Sequence, residues 1–176
     1  MTVTAGSSQR SRLLFTFAEG DFAVVRPIAE QLRRENSDLF VDFSTTSEPF
    51  LAPQSEYIRA SIAVRVRRSL ATVCLFGPDT FADDWVLWTL EAAHSFARPI
   101  VGCPITASPD PDAQDLFLSL GAALVAPRPE LLDRYLAGID AERDGRPAVD
   151  EEAAVSLRPT SFPVRPRAAR PAPAAQ

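Results

Sequence analysis

Short apolar runs alternate with amphipathic stretches through most of the 176-residue chain, and this alternation constrains the fold more than any other feature. Apolar runs without polar alternation are strands buried on both faces, which calls for helices on both sides of a parallel sheet. The runs are RLLFTF (Arg12 to Phe17), LFVDF (Leu39 to Phe43), ATVCLF (Ala71 to Phe76), PIVGC (Pro99 to Cys103) and AALV (Ala122 to Val125). Between them, 3.6-residue spacing predicts helices over about Asp21 to Glu35, Asp84 to Ala97, Asp112 to Leu120 and Pro129 to Glu142. A further helix has Ser55 as its expected N-cap and Ile58, Ile62, Val66 and Leu70 as its apolar stripe. Pro27 is expected in the first turns of its helix, where a missing N–H is best tolerated. Five such β/α units predict an α/β, flavodoxin-like three-layer sandwich with five parallel strands in the order 2-1-3-4-5. Ligands then sit beyond the C-terminal strand ends, at the switch point between strands one and three.

A chain of this size buries roughly 70% of its unfolded surface, enough for one domain with its own core. That domain is expected over residues 12–142, after a flexible N-terminus (1–11). From Arg143 the sequence turns to Arg, Pro and Ala without periodicity, so residues 143–176 are expected to form a disordered tail. The segment STTSEPFLAPQ (Ser44 to Gln54) has two prolines in a polar run and reads as a long loop.

Charge and composition exclude several functions. All 18 basic residues are arginine, so the chain has neither the lysine of a P-loop nor the one expected beside the acidic pocket of a phospho-receiver. A formal charge of -5 argues against general affinity for nucleic acid or anionic membrane. No apolar run has the length of a membrane span and the first residues lack the apolar core of a secretory signal, so a cytoplasmic protein is expected. One His and two Cys leave too little for a zinc site, and no metal is expected. Cys74 and Cys103, each inside an apolar run, read as small buried hydrophobes.

Three blocks resemble the TIR-like domains of bacterial antiphage systems, including the NAD-processing sensors of Thoeris defence. The first is LLFTFAEGD (Leu13 to Asp21), similar to the family's strand ending in an aromatic residue and a short acidic loop. The second is VDFS (Val41 to Ser44) with SEYIRASIAVRVRRS (Ser55 to Ser69). The third and most specific is ATVCLFGPDTFADDWVLWTLEAAHSFARPIVGC (Ala71 to Cys103), with its Trp-containing helix start, helix Glu and following strand.

The resemblance implies a domain that binds NAD as substrate, with no permanently bound cofactor, and cleaves or cyclises it with release of nicotinamide. It also implies assembly into a homo-oligomer on activation and signalling to a downstream effector protein. Carried onto this sequence, it points to Thr16, Phe17, Asp21, Asp42, Trp85 and Thr89 as the nucleotide site and Glu91 as the catalytic carboxylate. A carboxylate suits the reaction because positive charge develops on the ribose as neutral nicotinamide leaves.

The chain departs from its relatives at one place. The family's Glu usually lies four residues after the Trp, where Trp85 is followed by Thr89; Glu91 is six residues on, about 200° around the helix from Thr89. Aligning Trp88 instead places Glu91 three residues on. Two rivals therefore stand beside the enzyme reading: a TIR-like self-association module that has lost its carboxylate, and a nucleoside-transferring enzyme on a similar fold.

Each of these residues also has a plainer role open to it. Glu91 has His94 and Arg98 within surface-pairing distance on its helix, and His94 reads as a solvated or paired histidine. Trp85 and Trp88 read equally as anchors of their helix on the sheet. Asp79, Asp83 and Asp84 read as helix caps, Asp21 as the cap of its own helix, and Arg59, Arg65, Arg67 and Arg68 as a solvated face.

Overall fold

The structure is a computed structural model and describes residues 11–36, 39–106 and 111–143. The expectations for the first ten residues and for the segment after Arg143 lie outside the described residues. The strands are β1 (Ser11–Thr16), β2 (Leu39–Phe43), β3 (Ala71–Phe76), β4 (Ile100–Pro104) and β5 (Ala123–Leu124). The helices are α1 (Phe22–Glu35), α2 (Ser55–Arg68), α3 (Asp84–Ser95), α4 (Pro111–Ser119) and α5 (Pro129–Arg143). The five strands form one parallel sheet in the order β2-β1-β3-β4-β5, the flavodoxin-like arrangement expected from the alternation of runs.

Side chains alternate across the sheet and build two cores. On one side, Leu13, Phe15, Val73, Leu75, Val101 and Cys103 pack with Val25, Ala29 and Leu32 of α1 and Leu132 and Leu136 of α5. On the other, Leu14, Cys74, Phe76 and Ile100 pack with Ile62 and Val66 of α2, Trp85, Val86, Leu90 and Ala93 of α3, and Phe117 of α4. All six residues of β3, the middle strand, are buried. Gly102 of β4 is required by this packing: a Cβ there would stand 2.7 Å from Leu124 Cδ2 and 3.0 Å from the Phe117 ring.

Three local expectations are corrected. Ser55 is the first residue of α2 and not its cap; the cap position is Gln54, and the Ser55 hydroxyl accepts a hydrogen bond from Arg59 Nη2 at 3.0 Å. Pro27 is the sixth residue of α1, so it removes a bond that the Ala23 carbonyl would have received. Its exposed position leaves that carbonyl to water. Asp21 occupies the cap position of α1 without making a side-chain cap bond. Asp83, by contrast, does cap α3, accepting from the Trp85 N–H at 2.8 Å.

Cys74 and Cys103 are both free and fully buried, as their apolar runs imply. Burial pushes the Cys74 thiol well above its ordinary range, with Cys103 and the Asp21 carboxylate adding to the effect, and pushes Cys103 up to about 12. Both thiols are expected to react with an alkylating reagent only at the rate of unfolding. Because the folded chain keeps them protonated while the unfolded chain ionises near 9.0, their contribution to stability is complete below that pH and falls as pH rises toward about 12. Urea midpoints measured from pH 8 upward should decline over this window, and Cys103→Ala should flatten the decline. An unchanged slope in that variant would show that the thiols do not cause it.

Candidate functional site at the switch point

The C-terminal ends of β1 and β3 lie side by side, and the chain leaves them in opposite senses, toward β2 from one and toward β4 from the other. The diverging connections leave a crevice beyond these ends, which is where open parallel sheets bind ligands. Thr16, the last residue of β1, is 1% exposed and in register with Cys74 of β3. After it, Phe17 turns into the core, stacked on Phe22 at 6.1 Å and edge-on to Phe43 at 5.6 Å. That packing fixes the start of the loop that delivers Asp21.

Asp21 is aimed across the switch point. Its Oδ2 accepts a hydrogen bond from Thr80 Oγ1 at 3.3 Å, and the same hydroxyl accepts from the Gly77 N–H at 2.8 Å. A carboxylate from the end of β1 is thus tied, through one hydroxyl, to the backbone at the end of β3. A Cβ at Gly77 would stand 3.2 Å from Ile105 Cδ1 but at an ordinary 3.6 Å from Asp21 Oδ2, so the glycine makes room for Ile105 rather than for the carboxylate. Thr80 was not among the residues expected at the site. Its signal was present as a hydroxyl residue three positions after the glycine that ends the strand, an arrangement that favours a side-chain-closed turn.

The loop after β2 is fastened to α3 on the far side. Trp85 Nε1 donates to the Glu48 carbonyl at 2.7 Å, and the indole meets the Phe50 ring edge-on at 4.8 Å, with the Arg59 guanidinium over Phe50 at 5.0 Å. Trp85 is 5% exposed, so it anchors the loop and presents no open face on which a base could stack. Ser44 begins this loop by bonding back to β1, its N–H to the Phe15 carbonyl at 2.9 Å.

Two of the predicted residues are not brought to the switch point. Asp42 lies on β2, the edge strand, where its carboxylate accepts from the Phe43 N–H at 2.9 Å and pairs with Arg65 Nε at 3.7 Å. Glu91 is exposed on α3, on the face opposite the buried arc formed by Trp85, Val86, Thr89, Leu90 and Ala93. The reason is the helix register: six residues from Trp85 is about 240° of rotation, which points the side chain away from the sheet. Thr89 does face inward, but it is fully buried and its hydroxyl donates to the Trp85 carbonyl at 2.7 Å.

A hollow of about 50 Å³ lies apart from this site, between β1, β2 and α2, lined among others by Arg12, Asp42, Val64, Arg65 and Arg68. Pockets for small organic ligands run to roughly 300 Å³ and more, so it is not a nucleotide site. Among the described residues, no three His, Cys, Asp or Glu side chains group as metal ligands would.

The profile of the family described as "Thoeris protein ThsB, TIR-like domain" matches residues 15–110. That span runs from within β1 to just before α4, and it contains Asp21, Thr80, Trp85 and the loop after β2. No curated protein matches the chain. Among solved structures, a 2-deoxyribosyltransferase from the psychrotolerant bacterium Bacillus psychrosaccharolyticus is similar at 15% identity and a TM-score of 0.44, over 58% of this chain and 79% of that chain.

Proposed function

The chain belongs to the Thoeris ThsB TIR-like domain family, and from that membership we propose that it is an antiphage signalling module that takes NAD or a related nucleotide at the β1/β3 switch point and cleaves or cyclises it. The observation that carries this reading is the Asp21–Thr80–Gly77 connection, which fixes a carboxylate over the place where this fold binds ligands. In the reaction the bond between ribose C1′ and the nicotinamide nitrogen breaks, its electron pair leaves with nicotinamide, and positive charge collects on the ribose. Asp21 stabilises that charge or orients the ribose hydroxyls. Thr80 holds the carboxylate in place by donating to Oδ2. Water as acceptor yields ADP-ribose, and an internal acceptor yields a cyclised signal.

Glu91 enters this scheme on different terms from Asp21. Standing on the outer face of α3, it can reach a switch point only by acting on that of a neighbouring copy, which would make turnover steep in protein concentration. A second reading is favoured by Thr89, buried and bonded to its own helix where relatives carry the acid: a TIR-like module that assembles and signals without chemistry.

Incubating the chain with NAD over a range of protein concentrations and separating the products distinguishes these. Release of nicotinamide in proportion to protein supports a site complete in one chain. Release rising faster than concentration supports a shared one, and none at any concentration supports the second reading.

A further inference from the structure

Among the described residues β2 is an edge of the sheet, bonded only to β1, and a sheet edge pairs readily with another strand. The Ser44 N–H points to β1, where it bonds the Phe15 carbonyl, so by alternation the backbone groups of Phe43 and Val41 point outward. Three side chains occupy three of those outward groups. Arg33 of α1 donates to the Val41 carbonyl and is held by its guanidinium lying over the Phe43 ring at 5.6 Å. Arg65 of α2 donates to the Phe43 carbonyl at 2.9 Å, and Asp42 accepts from the Phe43 N–H at 2.9 Å while pairing with Arg65. Helices on both sides of the sheet thus reach over the edge and occupy its Val41 and Phe43 carbonyls.

We propose that the β2 edge is a self-pairing surface for a second copy of this chain, held closed by Arg33, Asp42 and Arg65. A two-fold antiparallel pair centred on Val41 sets Val41 against itself, Leu39 against Phe43, and Phe40 against Asp42 of the second copy. This register is complementary on two counts. Phe40, 45% exposed, gains cover. Arg12, whose guanidinium lies 5.4 Å from the Phe40 ring, meets the Asp42 carboxylate of the second copy once Arg65 has let it go. Two-fold, isologous contacts are the commonest way for identical chains to associate. The inference rests on the edge geometry and not on the nucleotide chemistry proposed above.

The test is sedimentation of the full chain and of the double variant Arg33→Ala/Arg65→Ala, with amide hydrogen exchange on both. Opening the edge should tighten self-association on the order of tenfold or more, since two competing hydrogen bonds are removed. Protection should appear at the Val41 and Phe43 amides as the dimer forms. Adding Phe40→Lys to the double variant should restore the parent mass. Slow alkylation of Cys74 and Cys103 checks folding, and if the alanine pair fails that check, Arg33→Lys/Arg65→Lys, which keeps charge but loses the guanidinium fork, is measured instead. An unchanged association constant in a folded variant overturns the proposal. So does an oligomer that persists with Phe40→Lys or leaves Val41 and Phe43 unprotected.

Discussion

Replacing Asp21 by alanine is expected to lower NAD turnover by roughly two to three orders of magnitude, the usual cost of removing one preorganised group that stabilises transition-state charge. Folding should hardly notice. Among the described residues the side chain makes a single long hydrogen bond, to Thr80 at 3.3 Å, and it lies outside both cores, so a loss of about 1 kcal/mol or less is expected. Asp21→Asn keeps an acceptor for the Thr80 hydroxyl while removing the charge, and should be nearly as inactive as Asp21→Ala if charge is what matters. Thr80→Ala keeps the charge but frees the carboxylate to move, and should fall between the parent and Asp21→Ala. Glu91→Ala should stay within about twofold of the parent, because the side chain faces solvent on the far side of α3. The opposite ranking, with Glu91→Ala inactive and Asp21→Ala active, would return the carboxylate to α3 and make a second copy part of the site. Nicotinamide release followed by chromatography gives all five rates on one scale.

Replacing Trp85 by alanine should have the largest effect on stability, about 3 to 5 kcal/mol, because a buried indole is deleted from the core between α3 and the sheet. Domains of this size are stable by roughly 5 to 15 kcal/mol, so such a loss is a large share of the total. The tertiary structure adds something to the cavity cost. Trp85 Nε1 is the tie to the Glu48 carbonyl, and the ring edge packs on Phe50, so the loop from Ser44 to Gln54 depends on the same residue. Trp85→Phe separates the two effects. It retains most of the ring and loses the hydrogen bond, which predicts about 1 kcal/mol in urea unfolding together with faster protease cleavage within residues 44–54. A Trp85→Ala chain whose unfolding midpoint stays near the parent's would show that the indole is not the anchor described here.

Among the residues of the nucleotide reading, the sequence by itself determined the elements and what each could be made of. Five short apolar runs joined by amphipathic stretches called for the strands of a helix-covered parallel sheet, and 2-1-3-4-5 was the order most consistent with that count; β3, buried along its whole length, is the plainest case. The two cysteines were legible as core residues for the same reason, since an apolar run leaves a thiol nowhere else to go. The family was legible as well, because its matched blocks lie in local order along residues 15–110.

What only the tertiary structure decided was direction. Asp21 could have capped its own helix as well as faced the site, and the choice was made by a hydroxyl 59 positions away, which no local pattern contains. Glu91 and Thr89 were separable in angle from the sequence, but which of them faces the sheet depended on where α3 is anchored, and Trp85 set that anchor through contacts with a loop from another β/α unit. Asp42 is the clearest instance. Its strand was read correctly to the residue, yet its role belongs to the edge of the sheet, because among the described residues strand order leaves β2 with a neighbour on one side only and its outward backbone groups then compete for the nearest polar side chains.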